Sequence, residues 1–203
     1  LSAQSTGARV RTYQSVSRPF NSSIDGRKFP VLVKSRAAST LAPRRVRLVF
    51  PICAKVGKGD APPNFTLKNQ DGRNVSLSQF KGKPVVVYFY PADETPGCTK
   101  EACAFRDSYE KFKKAGAEVV GISADDPNSH KAFAKKYRLP FTLLSDDGNK
   151  VRKDWGVPSD LFGTLPGRQT YVLDKKGVVQ LVYNNQFQPE KHIDETLKVL
   201  SSI

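Results

Sequence analysis

The sequence predicts an α/β domain: a central mixed β-sheet flanked by helices, opened by an N-terminal β-hairpin. Three observations carry this. Residues 85–90 read VVVYFY, an apolar run with no polar face, as expected of a strand covered on both sides of a sheet. Residues 118–123, EVVGIS, give a second central strand after an intervening helical stretch. Residues 169–174 and 178–183 flank Lys175-Lys176-Gly177 as a hairpin. The order is βαβ, then a strand, a hairpin and a helix, which implies a mixed sheet with helices on both faces.

In chain order, residues 65–67 and 74–77 flank Asp71-Gly72, a hairpin signal. Pro84 opens the strand at 85–90. A helix over 98–114 follows, ended by Ala115-Gly116. After the strand at 118–123, Pro127 suits the first turn of a helix running to Arg138. Residues 142–144 read as a short strand and 149–155 as a short helix. Beyond the second hairpin, Pro189 starts a last helix with Ile193, Leu197 and Leu200 on one face. A thioredoxin-like fold fits this order best.

The formal charge of +14 invites a nucleic-acid partner, but its distribution argues against one. Residues 1–54 hold ten Lys or Arg and a single acid, Asp25, so most of the excess lies in the first quarter of the chain. The remainder is a mildly basic mixed surface. Residues 1–54 are rich in Ser, Arg and Ala and show no helical or strand period. That composition cannot bury a core and matches an organelle transit peptide; a disordered basic tail and a nucleic-acid-binding arm are the other readings. Ile52-Cys53-Ala54 resembles the processing signal of chloroplast leaders, which puts cleavage near Ala54 and the folded domain at 55–203. Arg44-Arg45 before LVFPICA would suit a lumen signal, but Pro51 breaks a run that is already short, so the stroma is favoured over the thylakoid lumen. No apolar run approaches the roughly 18 residues that span a bilayer.

Two of the three cysteines, Cys98 and Cys103, stand five positions apart in TPGCTKEAC. The spacing is neither a C-x-x-C dithiol nor a common zinc pair. Cys98 follows a buried strand through Pro96-Gly97 and so falls at a helix start, where orphan backbone N–H groups and the helix dipole favour a reactive thiolate. It also shares a stripe with Ala102, Phe105, Tyr109 and Phe112, so a small buried hydrophobe is the other reading. Five residues along an ideal helix place two Cα atoms roughly 8–9 Å apart. A disulfide rarely tolerates more than about 7 Å. The pair can therefore bridge only if the first helical turns unwind. That describes a nucleophile with an oxidised intermediate and a second thiol that resolves it.

Pro91-Ala92-Asp93-Glu94-Thr95-Pro96-Gly97-Cys98 resembles the peroxiredoxin pattern P-x-x-x-T-x-x-C. With a second cysteine five residues on, it is similar to the Q subfamily, also called the bacterioferritin comigratory group. The resemblance runs from Lys55 to the end of the chain and includes FTLLSD at 141–146 and GRQTYVLD at 167–174. The leader is similar to those of plant chloroplast members. The resemblance implies that Cys98 is the peroxidatic thiolate, becoming a sulfenic acid, and that Cys103 closes an intramolecular disulfide with it. It implies that Thr95 orients the peroxide, where a helix cap is the alternative role. Arg168 would lie beside the thiolate and stabilise charge on the leaving oxygen, where a solvated surface charge is the alternative. Pro91 would shield the pocket from water. The substrates would be hydrogen peroxide and organic hydroperoxides, thioredoxin would be the reductant, no metal or other cofactor would be needed, and a monomer would suffice.

A thiol–disulfide oxidoreductase is disfavoured by the missing C-x-x-C. A redox sensor that passes oxidation to partner proteins is the non-enzymatic alternative. His130 and His192 sit in polar helical contexts and read as solvated positions. Histidine and cysteine show no metal spacing, and no phosphate loop or dinucleotide fingerprint appears. Trp155 and Phe162 read as core residues.

Overall fold

The computed structural model describes residues 55–160 and 163–203. The expected leader, with Cys53, and Phe162 lie outside the described residues.

The first hairpin is present as β1 (Thr66–Asn69) and β2 (Asn74–Ser76). The Asn69 side-chain oxygen accepts from the backbone N–H groups of Asp71 and Arg73. Gly72 supplies the left-handed residue, φ 75°, that such a turn requires. β3 (Val85–Phe89) is buried at every position. Val86 and Tyr88 enter one core, and Val85, Val87 and Phe89 the other. A strand covered on both sides needs no polar face, and this one has none.

The single helix expected over 98–114 is in fact two, α1 (Pro96–Asp107) and α2 (Tyr109–Lys114). Ser108 between them lies at φ −97°, ψ 4°, outside the helical well. Asp107 and Ser108 are both residues whose side chains compete for backbone bonds, so a break there is inexpensive. α1 starts at Pro96, ahead of the expected position, because proline suits the first helical residue. β4 (Glu118–Ser123) runs parallel to β3. α3 (Pro127–Tyr137) is capped by Asp126, whose carboxylate accepts from the N–H groups of Asn128 and Ser129. β5 (Thr142–Ser145) pairs parallel with β4 and antiparallel with β1.

α4 (Lys150–Asp154) comes next. β6 (Ser159–Asp160) and β7 (Leu165–Pro166) form a small antiparallel ladder that the sequence does not announce. β8 (Gln169–Leu173) is antiparallel to β3 and hairpins with β9 (Val179–Asn184). α5 (Lys191–Leu200) ends the order.

The main sheet runs β2-β1-β5-β4-β3-β8-β9. Residues of α1, α2, α3 and α5 fill one core. Val151 of α4 fills the other with Phe65, Trp155 and Val157. Helices thus flank both faces, but unevenly. Trp155 is fully buried, as a core residue should be. Among the described residues no helix is long and apolar enough to cross a membrane.

Candidate active site

β3 delivers the chain through Tyr90 and the loop 91–95 into α1. Cys98 is the third residue of that helix and is buried, as the apolar stripe required. Arg168 comes to it from β8. Phe89 pairs with Gln169 across the β3–β8 ladder, so Arg168, one residue before Gln169, lies level with the start of the Cys98 loop. Its Nη2 stands 3.3 Å from Cys98 Sγ. It is 2% exposed, so the solvated-charge reading does not hold. Gly97 makes room for this approach, since a Cβ there would lie 3.2 Å from Arg168 Nη2.

Pro91, Thr95, Gly97, Cys98, Leu165, Arg168, Gln186 and Phe187 line a cavity of about 250 Å³. Four of the five expected site residues therefore share one cavity. The fifth, Cys103, is half-buried further along the unbroken α1 and carries a free thiol, as Cys98 does. A larger groove of about 660 Å³ is lined by Asp126, Asp146, Asp147 and Asp154 but contains neither thiol. Thr95 occupies the N-cap position, yet its side chain makes no cap bond. Its hydroxyl donates to the Ala92 carbonyl at 3.1 Å. With its proton committed, it can offer a molecule in the cavity only an acceptor.

The loop is anchored beneath. Asp93 accepts from Tyr90 Oη at 2.7 Å and Ser129 Oγ at 2.8 Å, and pairs with His130 Nδ1 at 2.9 Å. Burial pushes the Asp93 carboxyl up, but these partners outweigh it and hold it below its ordinary value. Glu94 adopts φ 60° and binds Lys136 Nζ and Tyr137 Oη.

Two charged groups that the sequence reading passed over complete the site. Glu101, fully buried one helical turn beyond Cys98, pairs with Arg168 Nη1. Burial pushes its carboxyl to about 7 against the pull of Arg168. A carboxylate interrupting an apolar stripe at position i+3 was the available signal. Arg152 on α4 is also buried and binds the carbonyls of Tyr90 and Gly167. The sequence offers no signal for it.

His130 and His192 correct the expectation of solvated positions, since both are fully buried. Each has polar partners inside the fold, which offset the loss of water. His192 Nε2 lies 2.9 Å from the Asn185 carbonyl. A carbonyl only accepts, so the neutral ring carries its proton on Nε2 and Nδ1 accepts from Thr170 Oγ1 at 2.7 Å. Burial lowers His192 to about 4; the Asn185 contact opposes this and the Arg168 charge adds to it. The folded value lies below the unfolded one near 6.5. The stability it contributes is present above pH 6.5 and is lost as pH falls through about 4. Glu101, raised by burial, acts with the opposite sign between its ordinary value and about 7. Comparing wild type with His192→Gln removes the titration of the histidine itself, while Glu101, whose Oε1 lies 3.6 Å from His192 Nδ1, is present in both. In urea titrations, His192→Gln should lose less stability than wild type between pH 7 and pH 4, by up to about 3 kcal/mol. Parallel losses in the two proteins would show that His192 is not held neutral.

Among the described residues no group of His, Cys, Asp and Glu is arranged to hold a metal ion. The site is equipped instead for a buried nucleophilic sulfur with a fixed cation against it.

Comparison with known proteins agrees with this chemistry. The AhpC/TSA family matches residues 58–182. The chain is 73% identical over 192 residues to "Peroxiredoxin Q, chloroplastic" of Populus jackii, covering 95% of this chain and 90% of that protein. It is 81% identical over 165 residues to the protein of that description from Sedum lineare, covering 81% and 87%. Among solved structures it is similar to the peroxidoxin BcpB of Mycobacterium tuberculosis, with TM-score 0.67 and 39% identity, covering 73% of this chain and 98% of that one.

Proposed function

The chain belongs to the AhpC/TSA family, in its peroxiredoxin Q branch, and from that premise we propose how its residues divide the work of a thiol peroxidase. The observation that carries the assignment is the Arg168 guanidinium 3.3 Å from Cys98 Sγ in a cavity at the start of α1.

The Cys98 thiolate attacks the nearer oxygen of a hydroperoxide. The S–O bond forms as the O–O bond breaks; sulfur is oxidised by two electrons and the peroxide is reduced to water or an alcohol. The leaving oxygen departs as an anion and takes up a proton. Arg168 is placed to stabilise that charge without reorganising, because Glu101 holds its other arm. Thr95 accepts a hydrogen bond from the peroxide O–H, which orients the molecule for attack. Pro91, with no N–H to offer, closes the wall against water.

Cys103 then attacks the sulfur of the Cys98 sulfenic acid, releasing water and forming a disulfide. α1 is continuous from Pro96 to Asp107, so its first turns must unwind for this step. Arg106 puts a cation beside Cys103: hydrogen bonding to Asp107 first, and proximity to Cys103, raise its guanidinium above the ordinary value. A thioredoxin-type dithiol reduces the disulfide. Hydrogen peroxide and organic hydroperoxides are the substrates, and one copy of the chain supplies every group required. Intact-mass analysis after one equivalent of peroxide tests the scheme. Wild type should lose two hydrogens, and Cys103→Ser should gain one oxygen. Loss of hydrogens in both would exclude Cys103 as the resolving thiol.

The protein is chloroplastic, as the two plant relatives named above are described. Residues 1–54 are read as its transit peptide and the stroma as its destination, from their composition and from Pro51. A chain starting at Lys55 should match the full chain in thermal midpoint and peroxide rate. A large loss of either would mean that the leader segment contributes to the folded enzyme.

A further inference from the structure

Arg152 is a buried cation that the reaction scheme leaves unused. It is 6% exposed, and among the described residues its guanidinium forms no ion pair. Asp146, whose charge is felt at Arg152, is occupied with the backbone N–H groups of Val151 and Arg152. The guanidinium stacks over the Phe89 ring, 5.5 Å from its centroid. Its polar contacts are two backbone carbonyls: Nη1 donates to Gly167 O at 2.5 Å and Nη2 to Tyr90 O at 2.6 Å. Burying a guanidinium for two neutral acceptors is costly, so what those acceptors hold in place matters.

Tyr90 precedes Pro91, and Gly167 precedes Arg168. The β3–β8 ladder ends at the pair Phe89–Gln169. Beyond it, the two chains have no mutual ladder bonds; Tyr90 N–H turns instead to Ile122 O on β4. One chain goes on to the loop that carries Cys98, and the other brings in Arg168. We propose that Arg152 is a positioning residue for peroxide reduction, its planar fork joining the two chains where the sheet stops and so fixing Arg168 against Cys98. Lysine could not do the same, since an ammonium is a single point of charge without the rigid two-pronged geometry.

The inference rests on Cys98 and Arg168 acting as described above, and the test separates the two. In the Cys103→Ser background, rapid mixing with hydrogen peroxide reads the first oxidation step, with rates expressed per reactive Cys98 counted by intact mass. Arg152→Lys, Arg152→Gln, Arg168→Ala and the Arg152→Lys/Arg168→Ala double variant are compared. Arg152→Lys should slow oxidation by about tenfold or more and move the pH profile of Cys98 alkylation to higher pH. Added to Arg168→Ala, it should change the rate by less than about twofold, because a residue acting through Arg168 has nothing left to position. Arg152→Lys keeps a cation and nearly the same volume, so it provides the reading if Arg152→Gln does not fold. A merely structural arginine would lower the thermal midpoint and leave the pH profile in place. An unchanged rate in Arg152→Lys, or full additivity in the double variant, overturns the proposal. A silent Arg168→Ala overturns the underlying reading, and the proposal with it.

Discussion

Cys98→Ser protein should show no peroxide-dependent consumption of a dithiol reductant, a loss on the order of 10⁴ or more, as when other enzymes lose their nucleophile. A serine hydroxyl in the same place is not ionised at neutral pH and does not reduce peroxides. Cys103 cannot take over. It lies in the body of α1 rather than at its exposed N–H groups, and Arg168 faces Cys98 instead. Cys103→Ser should fail differently: the first oxidation should remain as fast as in wild type, turnover with thioredoxin should stop, and Cys98 should accumulate as sulfenic acid and then over-oxidise. The two variants thus separate attack from resolution. Steady-state activity in Cys98→Ser comparable to wild type would reject the nucleophile assignment, and sustained turnover in Cys103→Ser would reject the resolving role.

Why the sequence revealed some of this and not the rest follows from where each residue's partners lie. Cys98 was legible because its setting is local: a doubly covered strand, then Pro-Gly, then a helix start. β3 was legible because residues entering two different cores leave no polar position between them. Arg168 was legible only through resemblance, since its approach to Cys98 depends on the β3–β8 register. His130 and His192 were misread because the segments around them are mostly polar and their partners, Asp93 and Thr170, lie far away along the chain. Arg152 sits in KVRKD, which reads as solvated charge. Its partners are main-chain carbonyls, a feature that no sequence displays. Ser108 breaks a helix whose apolar stripe continues on both sides of it, so periodicity alone ran straight through. β6 and β7 are too short for any period to show.

Arg168→Ala should slow oxidation of Cys98 by about 10²–10³, the usual cost of losing a preorganised electrostatic stabiliser. The guanidinium has a hydrogen-bond arm for sulfur and a second arm fixed by Glu101, so its charge is already aimed before peroxide arrives. Removing it costs the thiolate its nearest cation and the leaving oxygen its stabiliser. The pH profile of Cys98 alkylation should therefore move to higher pH along with the fall in rate. Stability should suffer less than a broken buried ion pair would suggest. Burial already pushes the Glu101 carboxyl to about 7 with Arg168 beside it, and without that charge the carboxyl binds a proton rather than remaining as a lone buried anion. Arg168→Lys retains the charge but not the fork that spans Cys98 and Glu101, so it should recover only part of the rate. Disulfide closure requires α1 to unwind, which draws Cys98 and Glu101 away from Arg168, so that step should change much less. Rapid mixing in the Cys103→Ser background measures the first step, and the same variants with Cys103 retained measure the second. If Arg168→Ala left the oxidation rate and the alkylation profile of Cys98 unchanged, the guanidinium at 3.3 Å would be a packing contact and activation of the thiolate would fall to the α1 N-terminus.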